Sequence, residues 1–158
     1  MKESVRTGVS FGLTSAVITT LGLMVGLHSG THSENVVLAG ILTIAVADAF
    51  SDALGIHVSE EAEGVHTPAQ VWVATITTFL TKFLFALSFA VPVLLFELRV
   101  ALVVSVGWGM AILTVLSYSI AKAQGEPAWK IVGEHVLIAL VVIAATHGLG
   151  DWIGRLGG

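Results

Sequence analysis

The chain has 158 residues, of which 55% are hydrophobic and only 11% are charged, and its mean hydropathy is +0.92. Soluble domains carry about 25% charged residues, so this composition predicts an integral membrane protein. The sequence has no cysteine, which excludes disulfides and thiolate metal sites, and its formal net charge of -4 gives no basis for nucleic-acid binding.

Five apolar segments are long enough to cross a membrane, which takes about 20 residues each. The connectors carry helix-boundary chemistry. Thr67-Pro68-Ala69-Gln70 is a capping box with proline at the first helical position, and Gly125 ends one helix shortly before the next begins. The sequence therefore predicts an all-α fold with a single transmembrane domain over residues 1–158. The predicted helices cover residues 8–27, 36–58, 70–96, 100–121 and 131–150.

The placement of lysine and arginine predicts the orientation. With the N-terminus in the cytoplasm, more basic residues lie on the inner side than on the outer side. The inner ones are Lys2, Arg6, Lys122 and Lys130, and the outer ones are Arg99 and Arg155. We therefore expect a cytoplasmic N-terminus, in the cell membrane of a prokaryote or in an organelle membrane of a eukaryote.

Small residues recur at four-residue spacing along the first helix, as Gly8, Gly12 and Ala16 and then from Gly22 to Gly30. Faces of this kind let two helix backbones approach closely. They predict a homodimer packed through helix one. The alternative is that the same residues pack against other helices of the same chain.

The second predicted helix contains two aspartates, Asp48 and Asp52, one helical turn apart on the same face. A carboxylate at mid-membrane costs about 2.5–3.5 kcal/mol on insertion scales, and such a residue is a functional-site hypothesis by default. Because this helix inserts only marginally by itself, we expect its acidic face to turn away from lipid, toward other helices or a wet cavity.

Helices one and two are antiparallel, which sets Asp48 at the depth of several hydroxyl groups on helix one. Thr14, Ser15 and Thr19 lie at this level, and Met24 lies nearer the outer surface as a possible thioether ligand. An oxygen-rich site of this kind suits divalent cations such as Mn²⁺ and Fe²⁺. The sequence therefore predicts that the cation is carried as substrate and that no cofactor is present.

Lys82, near the middle of helix three, needs an acidic partner inside the membrane. One interpretation is a structural salt bridge with one of the aspartates. The other is an internal counter-charge that the metal displaces. One lysine does not neutralise two acids, so the sequence favours a transport site over a purely structural one.

An acidic stretch follows helix two at the inner side. Its members are His57, Glu60, Glu61, Glu63 and His66. We expect it either to collect cations before they enter the pathway or to be only a solvated acidic loop.

The sequence lacks the motifs of an intramembrane enzyme. There is no HExxH motif or nucleotide motif, and no serine–histidine arrangement is expected on neighbouring helices. We therefore predict a non-enzymatic protein. The alternatives to a metal transporter are a proton-coupled transporter or channel for another solute, in which Asp48 relays protons, and a non-catalytic membrane scaffold.

Several segments together resemble the vacuolar iron transporter family. They are LGLMVGL on helix one, LAGILTIAVADAFSD on helix two, TPAQVWVATITTFLTKFLFALSFAVPVLLF on helix three, and the ending with EPAWK and AATHGLGDWIGRLGG. The resemblance implies five transmembrane helices and a dimer whose pathway lies between the first helices. It also implies export of cytosolic Fe²⁺ or Mn²⁺ in exchange for protons.

The chain departs from the family pattern at the predicted site. Ser15-Ala16 stands where the family has an acid followed by glycine, and Ile44 stands where it has methionine. Asp52 is an additional acid, which predicts a rebuilt site in which Asp52 replaces the missing carboxylate of helix one. The family's cytosolic metal-binding insertion after helix two is reduced here to HVSEEAEGVH, so the chain resembles a short form.

Overall fold

The computed structural model describes residues 1–156 and consists of six α-helices, with no strand in that range. The helices are α1 (Lys2–Thr31), α2 (Glu34–Glu63), α3 (Pro68–Ser88), α4 (Ala90–Leu95), α5 (Leu98–Gln124) and α6 (Ala128–Leu156). Helices α1, α2, α5 and α6, and α3 together with α4, are each long and apolar enough to cross a membrane. This confirms the all-α prediction with five candidate spans. Gly157 and Gly158, which the predicted domain included, lie outside the described residues.

The helix ends follow the chemistry predicted from the connectors. The Thr67 hydroxyl accepts a hydrogen bond from the Gln70 backbone N–H at 3.4 Å, and the Gln70 side chain accepts one from the Thr67 N–H at 2.9 Å. This capping box begins α3. Gly64 and Gly125 end α2 and α5 in the left-handed conformation, with φ angles of 67° and 71°, which glycine adopts without strain.

The predicted span 70–96 is divided in two between Ser88 and Ala90. Pro92 explains the break, because it has no backbone N–H to donate to the Ser88 carbonyl and its ring crowds that same carbonyl. The Phe89 N–H instead bonds the Ala86 carbonyl at 3.2 Å. The Ser88 hydroxyl bonds the Phe85 carbonyl at 2.6 Å, and Trp108 Nε1 donates to Ser88 Oγ at 3.2 Å. A single predicted helix is therefore a kinked pair.

Helix α1 lies at the centre of the bundle and contacts α2, α3, α5 and α6. Gly8 and Gly12 meet α3, where an added Cβ would lie 2.7 Å from the Ala74 carbonyl oxygen and 2.9 Å from the Thr78 carbonyl oxygen, respectively. Farther along α1, Gly22, Gly26 and Gly30 meet α6 in the same way. The small residues therefore pack within one chain, which was the alternative to the predicted dimer face. Association of two copies through helix one stays a prediction.

The apolar core lies between α1, α2, α4 and α5. Val17, Leu21 and Met24 from α1 pack there with residues from the other helices. The largest fully buried partners are Ile41, Phe89 and Leu113. Burial of these apolar side chains stabilises the contacts between the four helices.

Candidate ion site

The centre of the site is Lys82 on α3, whose side chain is only 1% exposed. Its Nζ contacts Oδ2 of Asp48 and Oδ2 of Asp52, and it donates a hydrogen bond to Ser15 Oγ at 2.6 Å. The structure therefore brings together four of the residues that the sequence predicted, from three helices. The lysine contacts both acids, where one partner was expected.

Small residues on two helices make room for this contact. Gly12 lets α1 approach α3 so closely that an added Cβ would lie 3.2 Å from the Lys82 backbone nitrogen. On α2, Ala45, Ala49 and Ala53 form the fully buried stripe. Asp48 and Asp52 precede the last two alanines by one residue each, so their carboxylates lie at the edge of the buried face, where Lys82 reaches them.

The two carboxylates are not equivalent. Asp52 Oδ2 accepts a hydrogen bond from Lys82 Nζ, whereas the contact of Asp48 with Nζ is an ion pair without a well-directed hydrogen bond. Asp48 is also more exposed, at 27% against 18% for Asp52. One positive charge between two negative charges leaves one negative charge unbalanced, and Asp48 is the more exposed of the two carboxylates.

Asp48 opens onto a groove between α1 and α2 with a volume of about 660 Å³. Thr43, Ala47 and Ser51 line its α2 side, and Leu23 and Leu27 line its α1 side. The groove begins near the α1–α2 connection and ends at the level of the aspartates. It therefore gives Asp48, but not Lys82, a path to the surface of the described chain.

Three other predicted ligands do not join the site. The hydroxyls of Thr14 and Thr19 each donate to the carbonyl oxygen one turn earlier on α1, Ser10 and Ser15, at 2.8 Å. Within residues 1–156 neither hydroxyl bonds a carboxylate. Met24 is fully buried in the apolar core, so the prediction of a thioether ligand is wrong. Depth along the antiparallel helices placed Met24 nearer the outer surface but did not show which neighbour its side chain faces.

The acidic stretch is helical up to Glu63, where α2 ends, and only His66 lies in the connection to α3. His57 Nδ1 bonds the Thr75 hydroxyl at 2.9 Å, and its Nε2 lies 3.5 Å from Glu61. Glu60 is buried and pairs with His66 at 2.8 Å. Glu61 and Glu63 are exposed, so the predicted collecting group does not converge on one point. Within residues 1–156, no three His, Asp or Glu side chains form a group that holds a metal ion.

Two serine–histidine pairs join neighbouring helices, so the expectation that there are none is wrong. Ser117 Oγ lies 2.8 Å from His135 Nδ1, between α5 and α6, and Ser29 Oγ contacts His147 Nδ1, between α1 and α6. The first pair carries a sequence signal, because both residues are equally distant from the turn at Glu126. The second joins helices that are not consecutive, and sequence spacing gives no sign of it.

The Ser29 pair has the composition of a catalytic triad but not its geometry. Asp151 lies 3.7 Å from His147 Nε2, which is beyond hydrogen-bond distance. Ser29 also lies in the last turns of α1, where unpaired carbonyl groups and the helix dipole oppose a developing oxyanion. This arrangement therefore gives no support for hydrolysis.

No protein-family model, curated protein sequence or solved structure matches this chain. The fold and the site define a class: an all-helical bundle with five membrane-length helices and a buried lysine held between two aspartates. The relationship to vacuolar iron transporters stays a prediction.

Proposed function

We propose that this chain is an integral membrane transporter, with its N-terminus in the cytoplasm, that moves Fe²⁺ or Mn²⁺ out of the cytosol in exchange for protons. The observation that carries the proposal is the Lys82 ammonium between two carboxylates, of which it neutralises only one. Ionisable groups inside a membrane span are costly and typically mark ion or proton pathways. Carboxylate and hydroxyl oxygens are ligands that Mn²⁺ accepts.

Three kinds of cation compete for the two carboxylates in this proposal: Lys82, protons and the divalent metal. In this orientation the groove at Asp48 begins at the α1–α2 connection on the outer side, so it serves as the path by which the metal leaves and protons enter. Metal binding displaces the Lys82 ammonium, and protons arriving from the opposite side displace the metal. Antiport follows if the site opens to the two sides in turn.

A homodimer completes the proposal. Asp48 is partly exposed midway along a membrane-length helix, and a carboxylate facing lipid at that depth is unfavourable. A second copy packed on the groove between α1 and α2, against Leu23, Leu27 and Ile44, covers this carboxylate. It also supplies, with water, the ligands that two carboxylates and the Ser15 hydroxyl leave missing.

The test is transport by the purified protein in proteoliposomes that contain a pH-sensitive dye. We expect Mn²⁺, Fe²⁺ or Co²⁺ to drive saturable proton flux, and Asp48→Asn and Asp52→Asn each to abolish it. Asp151→Asn is the matched control, since it removes one carboxylate at the end of α6, outside the site. The proposal is wrong if both site variants transport normally.

A second candidate is a proton-coupled transporter of another solute. It is favoured by the same ion pair, because Lys82 already occupies the space between the carboxylates and the described residues contain no three-residue metal group. Metal titration of the purified protein separates the two: wild-type protein without saturable binding of any of the three ions supports this candidate. A non-catalytic scaffold is supported if substituting both aspartates by asparagine or leucine leaves cellular metal tolerance unchanged.

A further inference from the structure

A second groove lies at the opposite side of the bundle, between the first turns of α1 and the last turns of α5, and the ion site does not use it. Its volume is about 540 Å³. Lys2, Arg6, Thr7 and Ser10 line the α1 wall near the helix end, and Ser119 and Gln124 line the α5 wall. The remaining lining is apolar and consists of Val5, Val9, Leu116, Ile120 and Ala123.

The two basic side chains of the groove are available to a ligand. Lys2 and Arg6 are one helical turn apart, so they project from one face of α1. Both are exposed, and neither forms an ion pair within residues 1–156. Glu3 is in the same turn but does not line the groove, whose described lining contains no acid. The charge of the groove is therefore positive.

The charged and apolar groups that line the groove suit a phospholipid. Lys2 and Arg6 lie at the end of a membrane-length helix, where lipid headgroups lie, and Val9, Leu116 and Ile120 lie deeper, at the depth of the acyl chains, with Ser10 and Ser119 beside them. Basic pockets between membrane helices bind anionic headgroups. A soluble anion uses only the charged end and gains nothing from the apolar walls.

We propose that this groove binds one anionic phospholipid, with the phosphate against Lys2 and Arg6 and an acyl chain along Val9, Leu116 and Ile120. Guanidinium and ammonium groups form charge-assisted hydrogen bonds with phosphate. The proposal requires that α1 and α5 span a membrane. It does not require that the chain transports a metal, so the lipid proposal and the transport proposal can each be wrong without affecting the other.

The test measures binding of dioleoyl phosphatidylglycerol to the full chain in detergent, by native mass spectrometry and by the shift in unfolding temperature. We expect Lys2→Ala/Arg6→Ala to weaken binding about 25-fold, from about fivefold for each basic side chain. Lys122→Ala/Lys130→Ala is the matched control. It removes the same charge at the same end of the bundle but outside the groove, where Lys122 lies over Tyr118 instead. We expect it to leave binding unchanged.

Two further measurements distinguish a lipid from a free anion without altering the protein. Dihexanoyl phosphatidylglycerol should bind at least about 10-fold more weakly than the dioleoyl lipid, because it lacks the chain length that covers apolar surface. Inorganic phosphate should not compete. The proposal is overturned if the two double variants bind the lipid equally. It is also overturned if the short-chain lipid binds as well as the long one or if phosphate displaces the lipid.

Discussion

Both halves of α1 use glycines to pack closely against a neighbouring helix, but the two neighbouring helices carry different side chains to the contact. In the first half, Gly8 and Gly12 let α3 pack closely against α1, and α3 carries the charged side chain of Lys82 at this contact. In the second half, Gly22, Gly26 and Gly30 let α6 pack closely against α1. Here α6 carries His147, whose side chain is mostly exposed. Close helix approach is therefore ordinary packing in this bundle. The buried charge in the first half is the feature that packing does not explain.

The largest expected effect comes from removing that charge. Lys82→Met leaves two carboxylates close together without a counter-ion, and we expect it to lower the free energy of unfolding by about 3–5 kcal/mol. Denaturant or thermal unfolding in detergent measures the change. On α6, which packs against the other half of α1, Asp151→Asn breaks only an exposed pair with His147 and should have little effect.

A charge-free variant is the control for this experiment. Lys82→Met combined with Asp48→Asn and Asp52→Asn removes all three charges, and it should be more stable than Lys82→Met alone, because no buried charge is left unpaired. If Lys82→Met unfolds at the same point as wild type, the lysine does not hold the two acids in place, and the difference between the two halves of α1 disappears.

Substitutions at the glycines compare the tightness of the two helix contacts. A Cβ on Gly12 would lie 2.9 Å from a backbone oxygen of α3, whereas a Cβ on Gly26 would lie 3.3 Å from a backbone oxygen of α6. Overpacking typically costs about 1–3 kcal/mol, so we expect about 2–3 kcal/mol for Gly12→Ala and a smaller loss for Gly26→Ala. The same unfolding measurement applies.

Gly107→Ala is the control for these glycine variants. Gly107 lies within α5, and in the described part of the chain nothing comes within 4 Å of the added methyl group. We expect the substitution to be neutral or to stabilise slightly, by up to about 1 kcal/mol, since alanine loses less conformational entropy. Equal losses at Gly12 and Gly26 would show that the two contacts are equally tight.

Much of the fold was predictable because it depends on local chemistry. Apolar length gave five candidate spans, and the cap at Thr67 and the glycine at Gly125 gave helix ends. The predicted end of the second helix, at residue 58, is too early, because the acidic composition of the last turns of α2 is also typical of a solvated loop. The break at Ser88 was missed although Pro92 was visible, since a proline in a membrane helix often only bends it.

The site was predictable only in part, because the sequence indicates the depth of a residue in the membrane but not the direction in which its side chain points. Asp48, Asp52 and Lys82 were found because a charge inside an apolar helix is visible in the sequence itself. Depth along antiparallel helices placed Ser15 near them, but depth says nothing about rotation of a helix about its axis. For this reason depth did not show that the Thr14 and Thr19 hydroxyls bond carbonyl groups of α1 itself, or that Met24 packs in the apolar core.

The smallest expected effects come from two serines that occupy comparable positions in the two halves of α1. Ser15→Ala removes the hydrogen bond that Lys82 donates, and we expect a loss of about 1.5 kcal/mol, at the low end for a charged partner because both aspartates remain. Ser29→Ala removes a bond to the His147 imidazole and should cost about 0.5–1 kcal/mol. The transport assay also distinguishes the two variants. Ser15→Ala should alter metal-dependent proton flux, because only the two carboxylates then contact Lys82 Nζ. Ser29→Ala should leave that flux unchanged. If Ser29→Ala alters the flux and Ser15→Ala does not, the polar contact with α6, and not the one with α3, belongs to the pathway.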